Sequence, residues 1–448
     1  MNEFNEKEYN SVILGALLHD VGKLLHRGDD KYKYNDGHEA ASAKFIENNL
    51  TKLKNDKLYD INIIKILVRY HDTKISKTVV IKDEFFKDKT SREKTKIWKL
   101  IKLIKRADSY SCKERDTENA FANRTLPLDS IFSYINLDLK QKEHNFGKYN
   151  FAPFSPLNAY PGSITILTDK EIDDAIKGFE NAIPDFSKFN KIENVFTKWL
   201  NILQKYMWSV PSDTRYEKGI SDVSLYDHSR STAAFAACLY KRHMISIAKG
   251  KRFSWNNEFY LIGGDFSGIQ DYIFQITNRD GTGVSKRLRA RSFFIYLFSE
   301  VTIHKILHKL ALPIFCDLFS AGGKFLLLAP NIENIENELQ NVKLEIENEI
   351  HKAYFNQFSF LMSWMPIRGF KEFKENDLKA KFKVYNFFKL ADDMFYKLEL
   401  EKSNKSKTIL SDPEKKQFNI NYFKSSKLYR EYQVNNDCQV CVKGPATH

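Results

Sequence analysis

The feature that most constrains the fold is a histidine–aspartate pair inside an apolar stretch, LLHDVGK at residues 17–23. Upstream, apolar residues recur every three to four positions, which predicts a helix with one buried face that begins near residues 10–11. A buried histidine beside an aspartate carries a large desolvation cost unless the two are paired or bind a metal. We therefore predict a metal site at His19 and Asp20, with Lys23 one turn further holding a phosphate.

Further candidate metal ligands stand at the ends of other predicted helices. His38 begins the next helix, His71 ends a helix at 61–70, and Asp108 ends the apolar run 100–107. Imidazole and carboxylate ligands suit manganese, iron, cobalt, nickel or zinc, and one carboxylate between two ions suits attack on a phosphodiester. Each residue alone has a capping or surface role as its alternative, but their recurrence at successive helix ends favours a metal centre.

The chain is basic and rich in aromatic residues. Its 70 lysines and arginines outnumber 57 aspartates and glutamates, leaving a formal charge of +13, and 14% of the residues are aromatic. Both properties favour a nucleic-acid partner, through phosphate attraction and base stacking, although a lysine-rich genomic bias would give the same composition. Residues 82–106 carry ten basic and four acidic side chains, a surface that would guide a polyanion or simply face solvent.

The sequence shows no sign of a membrane or secreted protein. It has no apolar run of about 18 residues, and residues 1–10 lack the pattern of a signal peptide. Its 5 cysteines suggest no disulfide framework. We therefore expect a cytoplasmic protein with no membrane partner, and its 448 residues are enough for two or three domains.

A linker with helical pieces is predicted after the first helical block, because residues 126–164 are rich in proline and asparagine and show no sustained period. Further on, an alanine-rich helix is predicted at 231–240. Asp227, His228 and Ser229 stand just before it. They could extend the metal site, but we predict that Asp227 or Ser229 caps the helix.

The segment 259–364 has the clearest predicted topology. Its order, β-α-β-β-α-β, is that of the ferredoxin-like fold, which forms the palm of polymerases and nucleotidyl cyclases. Strands are predicted at 259–262, 312–315, 324–328 and 358–362, and helices at 269–274, 292–310 and 332–354.

Palms that catalyse hold two metal ions on carboxylates. Here Asp265 is the only well-placed carboxylate, because the hairpin GGKF at 322–325 has no acid. We predict a palm that binds a nucleotide or pairs with another palm rather than catalysing alone. Backbone amides of Gly263, Gly264 and Gly268 are predicted to approach phosphates, with turn formation as the alternative. Three basic side chains would neutralise the phosphates: Lys286, Arg289 and Arg291.

The last residues contain a C-x-x-C pair, Cys438 and Cys441. Such a pair is half of a tetrathiolate zinc ribbon, and its second half is missing here. A redox dithiol, or the start of a further domain, are the alternatives.

Five motifs together are specific: HDVGK at 19–23, YDHSR at 226–230, GDFSGIQDYIF at 264–274, LRARS at 288–292 and C-x-x-C at 438–441. In this combination the sequence resembles the large subunit of type III-A CRISPR effector complexes, the Csm complex. The resemblance covers nearly all of this chain, but only the N-terminal portion of the family's length.

The resemblance implies an HD domain that degrades single-stranded DNA with a divalent transition metal (Mn, Ni or Co), within a complex of other Csm subunits, crRNA and target RNA. It maps the metal ligands onto His19, Asp20, His38, His71 and Asp108. It also implies ATP binding by the palm. The nucleotide contacts would include Gly264, Asp265, Ser267, Gly268, Gln270, Lys286, Arg289 and Arg291.

The family also carries a second palm with a Gly-Gly-Asp-Asp motif, and this sequence contains none. Synthesis of cyclic oligoadenylates is therefore expected only if a separate chain supplies that palm, and zinc at Cys438 and Cys441 would need other ligands. A split gene, a frameshift or a truncation would each give such an ending.

The predicted fold class is α+β with several domains. Two other functions stay open: an HD phosphohydrolase of small nucleotides, and a non-catalytic ribonucleoprotein scaffold. The predicted domains are an all-α HD domain at 1–120, a linker and helical region at 121–255, a ferredoxin-like palm at 256–365, a helical or irregular extension at 366–435 and the start of a zinc ribbon at 436–448.

Overall fold

The computed structural model of the protein forms two compact units. The first comprises Met1–Ser254 with Pro313–Phe315, and the second comprises Trp255–Leu312 with Cys316–His448. The first unit therefore includes both the predicted all-α domain and the predicted linker region. The structure describes residues 4–28, 37–72, 75–111, 123–134, 147–163, 166–213, 221–249, 258–274, 283–354, 357–367, 387–405, 411–412 and 417–418.

The first unit is mostly helical. Its two short strands, β1 (Leu128–Asp129) and β2 (Lys148–Tyr149), pair antiparallel. Its helices are α1 (Glu6–Leu18), α2 (Gly22–Leu25), α3 (Gly37–Asn48), α4 (Leu50–Leu53), α5 (Ile61–Arg69), α6 (Lys77–Val80), α7 (Ser91–Ser111), α8 (Asp169–Asn181), α9 (Ile192–Met207) and α10 (Leu225–Lys249).

The first helix begins earlier than the sequence predicted. Asn5 caps α1, since its side chain accepts a hydrogen bond from the backbone N–H of Glu8 at 2.9 Å. The predicted caps lie inside the helix and are buried. Asn10 donates to the carbonyl of Leu58 at 3.0 Å, and Ser11 donates to the carbonyl of Lys7 at 2.7 Å.

The core of this unit forms around α1, which packs against α5, α7 and α10. α10 also packs along α7, and α3 packs against α2 and α5. Gly22 permits the close approach of α2 to α3, because a Cβ atom there would lie 2.0 Å from the carbonyl oxygen of His38. The Gly22 N–H donates to the Ser42 hydroxyl at 2.7 Å.

The predicted start of the alanine-rich helix is wrong. α10 begins at Leu225, and Ser224 rather than Asp227 or Ser229 stands before it. The Ser224 hydroxyl accepts from the Asp227 N–H at 3.0 Å and donates to the Asp227 carboxylate at 2.6 Å. Asp227 thus supports the cap from inside the first turn.

The second unit contains a four-stranded antiparallel sheet with strand order β4-β5-β3-β6. α12 contacts one face of the sheet, where Phe266 packs against Phe298, and α14 covers the other face next to Gly263. The elements are β3 (Phe259–Ser267), α11 (Ile269–Phe274), α12 (Val284–Lys309), β4 (Asp317–Ala321), β5 (Lys324–Pro330), α13 (Ile335–Tyr354), β6 (Ser359–Ile367), α14 (Phe387–Glu401), β7 (Ser411–Asp412) and β8 (Gln417–Phe418).

Two elements predicted within the segment 259–364 are misplaced. The apolar run 312–315 is no strand; β4 follows it at Asp317–Ala321, and Phe315 is fully buried. The helix predicted at 292–310 begins earlier, since α12 starts at Val284. The hairpin between β4 and β5 turns on Gly322 and Gly323, both with positive φ.

Within the described part of the chain, no helix combines the length and the hydropathy that crossing a membrane requires.

Candidate metal centre

Six histidine and aspartate side chains from five helical elements converge in the first unit. Each stands at or near the end of a helix, so that the helix backbones set their positions. His19 and Asp20 directly follow α1, His38 lies in the first turn of α3, His71 follows α5, Asp108 lies in the last turn of α7, and His228 lies in the first turn of α10.

Asp20 is the centre of this group, and each of its oxygens faces two imidazoles. Its Oδ2 lies 3.3 Å from Nε2 of His19 and 3.1 Å from Nε2 of His228. Its Oδ1 lies 3.0 Å from Nε2 of His38 and 3.4 Å from Nε2 of His71. A carboxylate with donors on both sides has the geometry of a bridge between two cation sites.

The first of these sites is formed by His19, His228, Asp108 and Oδ2 of Asp20. The Nε2 atoms of His19 and His228 are 3.1 Å apart, and Oδ1 of Asp108 lies 3.6 Å and 3.2 Å from them. Two ligands that share one ion at about 2.1 Å stand about 3.0–3.4 Å apart, which most of these separations match. The donor set therefore fits a divalent ion.

The second site is formed by His38, His71, Glu39 and Oδ1 of Asp20. Glu39 Oε1 lies 3.4 Å from Nε2 of His38, and the three side chains are close enough to share an ion. Oδ1 of Asp20 is fully buried and has no hydrogen-bond partner among the described residues. A buried carboxylate oxygen without a donor is costly, so this atom also fits a cation.

The histidine rings are held so that Nε2 faces Asp20. Nδ1 of His19 donates to the carbonyl of Ala16 at 2.6 Å, and Nδ1 of His71 donates to the carbonyl of Val68 at 2.7 Å. Since a carbonyl only accepts, the neutral ring then has its lone pair on Nε2. Nδ1 of His228 instead lies 2.8 Å from the hydroxyl of Ser111.

The electrostatics of the group favour positive charge. Burial lowers the pKa of His19, but Asp20 and Asp108 outweigh it and raise that pKa to about 9. Burial also opposes ionisation of Asp20 and Asp108, yet the neighbouring histidines, with Lys23 beside Asp20, hold both carboxyl pKa values well below their usual range. Two ionised carboxylates thus stand ready for a cation.

Two ligands give the group its access to solvent. His19, His71 and His228 are 0–3% exposed, whereas His38 is 31% and Asp108 20% exposed. Solvent therefore reaches the group past His38 and Asp108.

Lys23 is held inside this group. Its ammonium lies 2.5 Å from Oδ2 of Asp20 and donates to the carbonyl of Ser212 at 3.0 Å. Its predicted contact with a phosphate stays a prediction, and in this structure its contact is with Asp20.

The sequence argument placed five of these ligands together and missed two. The sequence argument favoured a helix cap at Asp227 or Ser229 over an extension of the metal site to this segment, but His228 contacts His19, Asp20 and Asp108. Glu39 received no role, although it is buried beside His38. The available signal for His228 was its place at a helix start, where His38 also stands.

In the second unit, two of the predicted phosphate-binding glycines have another role. Gly263 and Gly264 lie in the middle of β3 and pair with both β5 and β6. A Cβ at Gly264 would lie 2.0 Å from the Phe325 ring, and one at Gly263 would lie 2.5 Å from Met394. The predicted phosphate contact of these two amides stays a prediction, although the sheet and the packed side chains occupy the space around them.

The other predicted nucleotide contacts lie around α11 and the start of α12. Gly268 has a positive φ of 89° and makes the turn between Ser267 and α11, on which Gln270 is exposed. Arg291 donates to the carbonyl of Tyr272 at 2.6 Å and so ties α12 to α11. Lys286 and Arg289 are exposed on α12.

Asp265 is buried on the face of the sheet that α14 covers. Burial raises its pKa against the effect of Lys324 and Lys402, and its Oδ2 lies 3.8 Å from the Lys402 ammonium. Cys438 and Cys441 lie outside the described residues.

Two family models match the sequence. The HD domain matches residues 2–112, and the Csm1 subunit domain B matches residues 258–418. The first match includes five of the six central ligands, and His228 lies beyond its end.

Curated relatives match across most of the chain. One from Methanocaldococcus jannaschii is 31% identical over 397 residues, covering 79% of this chain and 44% of the relative. One from Thermococcus onnurineus is 26% identical over 361 residues, covering 80% of this chain and 43% of the relative. Both are described as the CRISPR system single-strand-specific deoxyribonuclease Cas10/Csm1 of subtype III-A. Over most of its length the chain is similar to Cas10/Csm1 proteins. It spans somewhat less than half the length of these Csm1 relatives.

Solved Csm1 structures share the fold. A Csm1–Csm4 cassette in complex with cA3 superposes with a TM-score of 0.65 at 23% identity, covering 90% of this chain and 49% of that one. Csm1 of T. onnurineus superposes with a TM-score of 0.66 at 22% identity, covering 90% of this chain and 50% of that structure.

Proposed function

We propose that the first unit is a metal-dependent deoxyribonuclease specific for single-stranded DNA, and that the chain is a scaffold subunit of a crRNA-guided type III-A antiviral complex. The group of side chains around Asp20 carries the proposal. It is buried, rich in imidazole and carboxylate, and open to solvent on one side, as phosphodiester hydrolysis requires. The names of the curated relatives favour single-stranded DNA as the substrate.

Mn²⁺, Ni²⁺ or Co²⁺ are the proposed ions, because mixed imidazole and carboxylate ligands suit them. His19, His228 and Asp108 would hold one ion, and His38, His71 and Glu39 the other, with Asp20 between them. Bound ions supply Lewis-acid stabilisation of the phosphodiester and lower the pKa of water. The carbonyls of Ala16 and Val68 would keep the rings of His19 and His71 oriented.

The approach of DNA to this site is proposed to follow α7. This helix carries Asp108 in its last turn, and further from the site it presents Lys102, which is exposed 5.8 Å from the centre of the Trp98 ring. A cation beside an aromatic ring suits a single strand, whose phosphates and bases it can contact together.

For the second unit we propose a ferredoxin-like palm that spans the predicted range 256–365 and binds ATP. The strand order β4-β5-β3-β6 supports that fold. The contacts would run from Ser267, Gly268 and Gln270 to the exposed Lys286 and Arg289. Synthesis of cyclic oligoadenylates would need a second palm from a separate chain, and zinc at Cys438 and Cys441 would need further ligands.

The remaining proposals concern organisation and partners. The HD domain, linker region, palm, extension and ribbon start would follow the predicted boundaries, with His228 of the linker region completing the HD site. The partners would be other Csm subunits, crRNA and target RNA. The solved Csm1–Csm4 cassettes support a Csm4-like partner.

The deciding experiment compares cleavage of one oligonucleotide as a single strand and as a duplex, with Mn²⁺, Ni²⁺ or Mg²⁺. The double variant His19→Ala, Asp20→Ala should lose single-strand cleavage. Asp227→Ala should keep it, because Asp227 lies next to His228 but contacts Ser224. Binding of Mn²⁺ by each protein is measured alongside.

Other outcomes would favour the other functions. Hydrolysis of mononucleotides without DNA cleavage would favour a nucleotide phosphohydrolase. Equal cleavage by the wild type and the double variant would exclude this site. A wild type that binds neither metal nor DNA would favour a non-catalytic scaffold.

A further inference from the structure

The ring of His228 has a different kind of hydrogen-bond partner at Nδ1 from those of His19 and His71. A backbone carbonyl accepts from Nδ1 of each of those two rings, whereas Nδ1 of His228 lies 2.8 Å from the Ser111 hydroxyl. A hydroxyl can both donate and accept. The other hydrogen bonds of the Ser111 hydroxyl therefore decide whether Nδ1 of His228 carries the proton or the lone pair.

We propose that Ser111 is a positioning residue that holds His228 with its proton on Nδ1 and its lone pair on Nε2, ready to bind metal. This inference rests on the proposed metal site and adds a residue to it. Ser111 touches neither Asp20 nor the other ligands in the described contacts, and it acts only through His228.

The hydrogen bonds around Ser111 support the role of acceptor. The hydroxyls of Ser111 and Ser231 are 2.5 Å apart, and each also lies 3.1 Å from the carbonyl oxygen of His228. If one hydroxyl donates to the other and the second donates to the carbonyl, both protons are used. Oγ of Ser111 then has a lone pair for the N–H of His228.

The placement on the two helices is equally specific. Asp108 and Ser111 are three residues apart on α7, and His228 and Ser231 are three residues apart on α10, so each pair shares a helix face. α7 thus supplies one metal ligand and the support for another. Groups of this kind, which orient a ligating histidine through its second nitrogen, typically change metal affinity about 10- to 100-fold when removed.

The test measures Mn²⁺ affinity of the full chain without DNA, together with the thermal unfolding midpoint of each metal-free protein. Ser111→Ala should weaken Mn²⁺ binding about 10- to 100-fold. Ser111→Thr keeps the hydroxyl at a position that is only half-buried and should therefore bind Mn²⁺ more tightly than Ser111→Ala does. Ser109→Ala is the matched control: it removes a hydroxyl from the same turn, but one that donates to the carbonyl of Lys105.

A wild type that binds Mn²⁺ while Ser111→Ala binds it equally well would overturn this inference and leave the proposed function intact. Equally weakened Mn²⁺ binding in Ser111→Thr and Ser111→Ala would also overturn it, because the Mn²⁺ affinity would then not depend on the hydroxyl. A wild type that does not bind Mn²⁺ would overturn the metal site and the inference together.

Discussion

Asp20 is the residue on which both halves of the metal centre depend. Its two carboxylate oxygens face different pairs of histidines, so no single pair neutralises the whole charge. Lys23 adds a third contact on Oδ2 but none on Oδ1. Oδ1, which faces His38 and His71, has no hydrogen-bond donor among the described residues. The charge on this oxygen therefore depends more on a bound cation than the charge on Oδ2 does.

Gly22 gives a residue-scale prediction about stability. A Cβ there would clash with the His38 carbonyl and the Ser42 hydroxyl. Gly22→Ala should therefore force α3 away from α2 and destabilise the protein by about 1–3 kcal/mol, as overpacking does, and it should weaken Mn²⁺ binding by moving His38. Chemical denaturation and a Mn²⁺ titration measure the two effects.

Gly15→Ala is the control for this change. Its Cβ would lie 3.0 Å from Cδ1 and 3.1 Å from Cβ of Leu67, a tight contact but a much smaller overlap than the 2.0 Å approach at Gly22. The gain in helix propensity should offset part of any cost. Equal destabilisation by both substitutions would contradict the packing argument at Gly22.

At the scale of one residue, the sequence predicted candidate metal ligands where a histidine or aspartate interrupts a run of apolar residues. His19 and Asp20 stand out because the surrounding positions are apolar. His228 does not, because serine, aspartate and arginine surround it and resemble a helix cap. Its role depends on contacts with residues more than a hundred positions away, which no local pattern reports.

At the scale of elements, α10 gives a prediction that separates two adjacent residues. His228→Ala should weaken Mn²⁺ binding and single-strand cleavage at least about 10-fold, because it removes a ligand. Asp227→Ala should leave both near the wild-type level and cost about 0.5–2 kcal/mol of stability, as the loss of a cap does. Titration with Mn²⁺ and chemical denaturation of the two variants provide the comparison. Unchanged Mn²⁺ binding and cleavage in His228→Ala would contradict the assignment of His228 as a ligand.

β3 gives a second prediction at this scale. Gly264→Ala should destabilise the second unit by about 1–3 kcal/mol, because its Cβ would meet the buried Phe325 ring. Phe325→Leu alone should also destabilise, but the double variant should cost less than the sum of the two. A double-mutant cycle of unfolding free energies measures this coupling. If Gly264→Ala left stability unchanged and abolished ATP binding, the phosphate role would be supported instead.

Long periodic elements were predicted more accurately than short apolar runs. α13 lies close to its predicted position, since many residues contribute to its pattern. The run 312–315 has the composition of a strand, but four apolar residues fit a buried turn equally well. β3 was predicted too short because glycine suggests a turn, whereas here it makes room for Phe325 and Met394.

At the scale of the molecule, the metal centre belongs to a larger unit than the helical block that suggested it. α1 and α10 pack together although about two hundred residues separate them. The contact places His228 against His19 and thus joins the predicted linker region to the site. Composition changes along the chain locate segments, but they do not reveal which segments share a core.

The charge of the whole chain leads to the last prediction. A formal charge of +13 favours binding to any polyanion, so salt dependence rather than affinity alone must identify the contacts. For a single strand, the slope of log affinity against log salt falls by about 0.7 for each phosphate contact. If Lys102 contacts one phosphate, Lys102→Gln should make the slope about 0.7 less negative and weaken binding at low salt.

Lys177→Gln supplies the comparison, because Lys177 is exposed on α8, a helix that holds none of the metal ligands. It removes the same charge from the same unit and should leave the slope unchanged. Equal effects of both substitutions would mean that DNA responds to net charge alone. A change confined to Lys102 would instead place the strand along α7, the helix that presents Asp108 to the metal site.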